Sequence, residues 1–231
     1  MQRYYSNTYW HFVGSPLGVD WHSVRQPSDI LRGGVRPKEP DACVKVVADI
    51  LASRTLKARC TERISDQVLT RHFCCVTDIP LKDLPSHAPY YGRVAIGFRA
   101  AAIHSAFLPV LYYPTHQLPQ VQRGFIGNPV KRWQSDAADR IIPVMAPDPS
   151  LATNPFKDYL KLTDFSARPE ESFYREREWR HPGSDFRFQP EDIAAIVAPE
   201  REIGRLRALV PNALGSDGRV SFVTWELIEN S

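Results

Sequence analysis

Short apolar runs separated by prolines and glycines recur along this chain, and their spacing switches between the strand period and the helix period. Tyr9-Trp10-His11-Phe12-Val13-Gly14 reads as an aromatic strand ended by a Gly-Ser-Pro turn. A short helix interrupted by Pro27 fits 21–31, and Gly33-Gly34 ends it. The clearest helix covers 41–58: Val44, Val47, Ala48 and Leu51 share one face, Asp41 stands at its start, and Lys57 and Arg59 suit its C-terminal end. A more polar helix is expected within 63–69. Residues 71–81, with Cys74-Cys75-Val76 between polar ends, read as a buried central strand, and 94–98 and 110–113 as further strands flanking a brief helix over 100–106.

Later in the chain, 154–163 reads as a strand with Lys157, Asp158 and Lys161 turned to water. Residues 173–181 follow as a strand whose period sends Glu176, Glu178 and Arg180 to one side and Arg175, Arg177 and Trp179 to the other. Strand 192–198, a helix over 200–209 with Ile203, Leu206 and Leu209 inward, and a last strand over 220–228 complete the pattern. Between 115 and 155 the prolines and glycines multiply, which predicts a long irregular insertion with one helix near 133–139. The expected fold is α+β: a single domain over 1–231 with a central, mostly antiparallel mixed sheet and flanking helices.

Composition narrows the function classes. With 43% hydrophobic and 24% charged residues in 231, the chain has an ordinary globular balance, and a net charge of +3 is too small to argue nucleic-acid binding by itself. Twenty prolines against 12 glycines speak against a helical bundle. No run reaches the length of a membrane span and no apolar signal core opens the chain, so a cytoplasmic location is expected. Cys43, Cys60, Cys74 and Cys75 fit no zinc-ribbon spacing and read as buried thiols, with no metal expected. There is no Walker loop, no Gly-x-Gly-x-x-Gly and no nucleophile elbow.

Candidate chemistry rests on few residues. Glu176 and Glu178 on one face repel each other, which raises at least one pKa unless arginines neutralise them. His11 is a core histidine or a ligand group. Thr77 ends a central strand, where it is a ligand contact or a turn residue. Tyr90 and Tyr91, just before a strand, are a stacking platform for a flat ring or plain packing.

The ordered set Trp10-His11-Phe12-Val13-Gly14, Cys75-Val76-Thr77-Asp78-Ile79-Pro80-Leu81, His87 to Gly92 followed by Ile96-Gly97-Phe98, and Tyr174 to Arg180 followed by Ile196-Val197-Ala198-Pro199 resembles the AbiGi family of abortive phage-resistance proteins, labelled an antitoxin. The chain is also similar, more distantly, to the His-Tyr-Glu plan of ADP-ribosyltransferases, some of which modify nucleic acid. That resemblance implies an ADP-ribosyltransferase-like fold with NAD as substrate. His11 would bond the ribose, with Thr77 beside the cofactor. Tyr90 or Tyr91 would stack on nicotinamide. Glu178 would stabilise the oxocarbenium-like centre and Glu176 would orient an acceptor. The Thr77-Asp78 pair departs from the full Ser-Thr-Ser element of arginine-type transferases. Two functions follow from these resemblances: an NAD-binding or NAD-cleaving phage-defence protein, or a non-catalytic antitoxin that binds a toxin or another defence-system partner. Nucleic-acid binding through Arg175, Arg177, Arg180 and Arg187 ranks behind both.

Overall fold

The computed structural model describes residues 6–65, 68–114, 130–135, 141–146, 154–168, 171–210 and 220–230. The expectations for the first five residues and for most of the 115–155 insertion therefore lie outside the described residues.

The strands, in chain order, are β1 (Thr8–Phe12), β2 (Thr55–Leu56), β3 (Arg63–Ser65), β4 (Val68–Leu69), β5 (Phe73–Thr77), β6 (Ala95–Arg99), β7 (Leu108–Pro109), β8 (Leu111–Pro114), β9 (Val130–Ser135), β10 (Ile141–Ala146), β11 (Leu160–Thr163), β12 (Glu178–Pro182), β13 (Phe186–Arg187), β14 (Ile193–Ala198) and β15 (Ser221–Thr224). The helices are α1 (Pro40–Ser53), α2 (Ala88–Tyr91), α3 (Ala100–Ala106), α4 (Glu200–Leu209) and α5 (Trp225–Glu229). Seven strands form the main sheet in the order β15-β14-β6-β1-β5-β12-β7. Every neighbouring pair is antiparallel except β14 with β15. The α+β architecture with a mostly antiparallel mixed sheet is therefore the one the sequence predicts.

Side-chain alternation feeds two cores, one on each face of this sheet. Tyr9, Val76, Ile96, Phe98 and Ile196 pack with Val44, Val47 and Leu51 of α1 and Ile203 and Leu206 of α4. Trp10, Ala95, Ala195 and Val197 pack on the other side with Trp225 and Ile228 of α5 and with Leu84. Burial on both faces explains the unbroken apolar run of β14, which an antiparallel strand with one wet face would not carry.

Several expectations fail locally. Over 21–31 no helix forms before Pro27, which opens a 3-10 segment running to Gly34 instead of interrupting a helix, and the strand expected over 154–163 begins only at Leu160, after a 3-10 turn over Pro155–Tyr159. α1 stops at Ser53, where Arg54 turns left-handed (φ 50°), because Thr55 and Leu56 leave to pair with Phe186 and Arg187; Lys57 and Arg59 lie beyond it, and Asp41 makes no cap. The helix expected within 63–69 is the β3–β4 pair, with Ile64 and Val68 buried against Leu160. Trp133 lies in β9, paired with β10, rather than in a helix. The last strand ends at Thr224, whose hydroxyl accepts from the Leu227 N–H and starts α5. Leu209 is exposed at the end of α4.

Gly97 faces Trp10 in the β1–β6 register, and a Cβ there would lie 2.7 Å from both the Trp10 ring and Thr8 Cγ2. Gly97→Ala should therefore destabilise the protein by about 1–3 kcal/mol, read as a lower urea midpoint with an unchanged slope.

Candidate functional site

The two glutamates do meet, by a route other than one continuous strand. Ser172 caps a single 3-10 turn over Phe173–Glu176 by accepting from the Tyr174 N–H, and Arg177 then adopts φ 45°, ψ 49° before β12 begins at Glu178. A left-handed arginine is an uncommon, strained link. It is held on both sides, since its carbonyl accepts from the Asp78 N–H at 3.0 Å and its guanidinium donates to Asp78 Oδ2 at 2.9 Å. The sharp turn brings the Glu176 carboxylate back beside Glu178.

Lys161 joins them. Its Nζ lies 2.8 Å from Glu176 Oε2 and 2.8 Å from Glu178 Oε2, and 4.4 Å from the centre of the Phe173 ring. The expectation that Lys161 faces water fails because β11, unlike a surface strand, is covered on both sides. Asp158 is likewise fully buried and bonded to Arg71. Arg180 completes the cluster: its Nε donates to Glu178 Oε1 at 2.8 Å, its Nη1 to the carbonyls of Asp158 and Leu160, and its Nη2 to Glu62. Its guanidinium stacks over Phe73 at 4.2 Å.

Electrostatics follow from this crowding. Burial pushes the Glu178 carboxyl up, but Arg180 and Lys161 outweigh it and hold the group at about 2. Burial would lower Lys161, yet Glu176 and Glu178 raise it well above an ordinary lysine. The cations that the sequence pattern left conditional are thus present, and they neutralise the acids. The Glu178 N–H donates to the Tyr112 hydroxyl at 2.7 Å, a contact with no signal in the sequence because β8 reaches β12 only through folding.

The remaining candidates are distributed around this cluster. Trp10 pairs with Thr77, and Thr77 pairs with Glu178, so Trp10, Thr77 and Glu178 share one face while His11 points to the other. His11 Nδ1 donates to the Cys75 carbonyl at 2.9 Å, and burial lowers its pKa. It reaches neither glutamate. Thr77 is buried, and its hydroxyl donates to the Glu176 carbonyl, a structural bond at the base of the turn. The Tyr91 hydroxyl donates to Glu176, and its ring neighbours Phe12, His87 and Tyr90. Tyr90 and Tyr91 border a void of about 10 Å3, room for about one water molecule.

A larger concavity borders the same turn. A cleft of about 600 Å3 is lined by Asp78, Tyr112, Tyr174, Arg175, Arg177 and Glu178, among others. Tyr174 is exposed and meets Tyr112 edge-on at 5.3 Å. Such a cleft offers aromatic surface and positive charge together. Among the described residues no group of histidines, cysteines and carboxylates is placed to hold a metal, and no helix is long and apolar enough to cross a membrane.

Arg180→Met should cost about 3–5 kcal/mol in urea unfolding, since it leaves Glu178 and Glu62 short of their buried partner. The Glu178 carboxyl contributes stability that is fully present above its unfolded value of 4.5 and lost as pH falls toward about 2. Unfolding measured across that window should show wild type losing stability relative to Glu178→Gln as the solution is acidified.

Three solved structures resemble the chain. Thermus sp. 2.9 DarT in complex with carba-NAD+ aligns at 12% identity over 94% of this chain and 95% of that one, with a TM-score of 0.40. DarT of the same organism in complex with NAD+ aligns at 13% identity over 94% and 95%, and in complex with ADP-ribosylated ssDNA at 12% over 96% and 98%, both with a TM-score of 0.38. A search of the curated proteins finds no match. A family described as abortive phage resistance protein AbiGi, antitoxin, matches residues 53–195, which take in the β5 strand, the turn and the glutamate cluster, and the chain belongs to that family.

Proposed function

We propose that this protein acts by binding, as the antitoxin of an abortive-infection system, and that the cleft beside Glu178 is where it engages its toxin partner. The observation that carries this reading is the state of Glu178. Both its oxygens are occupied by Arg180 and Lys161, and His11 lies on the opposite face of the sheet. A carboxylate that is to stabilise a developing cation must turn toward the reacting sugar, and here each oxygen would first have to leave a buried cation. Arg175, Arg177 and Tyr174, by contrast, present an arginine-and-aromatic surface of the kind that dominates protein interfaces.

A second reading is NAD binding in the same cleft, with cleavage of the nicotinamide-ribose bond at Glu178. The lining favours it: two arginines suit a pyrophosphate and the tyrosines suit flat rings. The two readings separate in one set of assays. Co-expression with a toxin encoded by a neighbouring gene should give a complex that Arg175→Glu or Arg177→Glu weakens by roughly 1–2 kcal/mol, about five- to thirty-fold. Incubation with NAD should release no nicotinamide. Release by wild type that disappears in Glu178→Gln, together with no toxin complex, would replace the first reading with the second.

A further inference from the structure

The charged groups around the cleft are matched with one exception. Asp78 accepts from Arg177 at 2.9 Å, Glu178 is held by Lys161 and Arg180, and Glu176 beneath it by Lys161 and the Tyr91 hydroxyl. Arg175, which also lines the cleft, forms no side-chain hydrogen bond or ion pair among the described residues. A second donor is likewise uncommitted. The Tyr112 hydroxyl accepts from the Glu178 N–H at 2.7 Å, and no described residue accepts its own proton.

The rest of the lining is apolar or aromatic. Pro109, Val110 and Trp179 contribute to it, and Tyr112 meets Tyr174 edge-on at 5.3 Å. Phe165 extends this row, its ring centre 5.6 Å from that of Tyr174. Tyr174 is 58% exposed and Phe165 47%, so the aromatic surface is open to a partner.

The number of uncommitted cations selects the occupant. A pyrophosphate or a nucleic-acid backbone brings successive negative charges and takes several cations. The cleft offers one, and Asp78 and Glu178 in its wall oppose further anionic groups. A single carboxylate is matched by one guanidinium and one hydroxyl. A cleft of about 600 Å3 has room for more than a carboxylate, and its aromatic lining suits a large side chain next to it.

We propose that the cleft takes an acidic segment of the toxin, one carboxylate lying on Arg175 while a neighbouring aromatic or aliphatic side chain packs on Tyr112 and Tyr174. This rests on the antitoxin reading and gives the chemistry of the partner's contact. The charge match sets register and the apolar anchor supplies most of the affinity.

The test uses the full chain and the full-length toxin encoded by a neighbouring gene, with affinity measured by calorimetry. Tyr174→Ala and Arg175→Gln should each weaken the complex roughly tenfold and leave the urea midpoint of the free protein unchanged. Each aspartate and glutamate of the toxin is then changed to lysine in turn. One of these variants should bind wild type roughly tenfold less well and regain affinity with Arg175→Glu. A complex that forms yet tolerates Tyr174→Ala and Arg175→Gln, or in which no acidic toxin residue shows this exchange, would overturn the proposal and leave an antitoxin that binds by other chemistry. Absence of any complex would remove the antitoxin reading itself. Binding of NAD or of a mixed-sequence single-stranded DNA that Arg175→Gln abolishes would assign the cleft to phosphate and overturn the acidic segment.

Discussion

The arrangement of this protein depends on placing Glu178 and Arg180, successive residues on one face of β12, inside the fold with their charges matched. Arg180 is fully buried, and its donors reach Glu178, Glu62 and the carbonyls of Asp158 and Leu160. An unpaired guanidinium in that position would cost several kcal/mol, so the elements that supply its acceptors must be in place together. Those elements are the β12 strand, the segment leading to β3, and the 3-10 turn and strand around Asp158 and Leu160. Lys161, one residue beyond Leu160, then ties Glu176 to Glu178 and fixes the turn. The cluster is a geometric lock on segments far apart in sequence, whether or not it lowers the free energy relative to an apolar core.

That lock shapes the surface above it. The Arg177 link is left-handed because the chain must reverse within one turn for both carboxylates to reach Lys161. Reversal pushes Arg175, Arg177 and Tyr174 to the outside, where they border the cleft with Tyr112 and Asp78. A turn pinned from below gives this surface a rigid polar rim with a few large side chains, which suits the partner-binding role proposed for it. The same pinning holds the Glu178 carboxylate, which borders the cleft, on Arg180 and Lys161.

Of the four cysteines expected to be buried, Cys43 and Cys74 are, while Cys60 is exposed and Cys75 is half-buried. Cys75 and Arg180 are partners in the β5–β12 register, and Phe73, which Cys60 pairs with, carries the stacked guanidinium. Cys43 and Cys74, set in the apolar core, show what the same residue type becomes when burial alone acts on it.

Period and punctuation in the sequence determined the element types that bury one continuous apolar stripe: β1, β5, β6, β14, α1 and α4 all follow from local spacing. The pairing of Glu176 with Glu178 was also legible as two acids near one arginine, although the spacing suggested a straight strand where a capped turn and a left-handed Arg177 stand. Tertiary structure alone decided the rest. Lys161 and Asp158 look like surface charges in a half-exposed strand, and became buried partners only because other segments cover both sides of β11. Residues 63–69 carry no period strong enough to choose, so pairing of β3 with β4 chose for them. His11 fits a ligand site by residue type, but the register that turns it away from Glu178 is set by which strands pair, a property of non-local hydrogen bonds that no local pattern encodes.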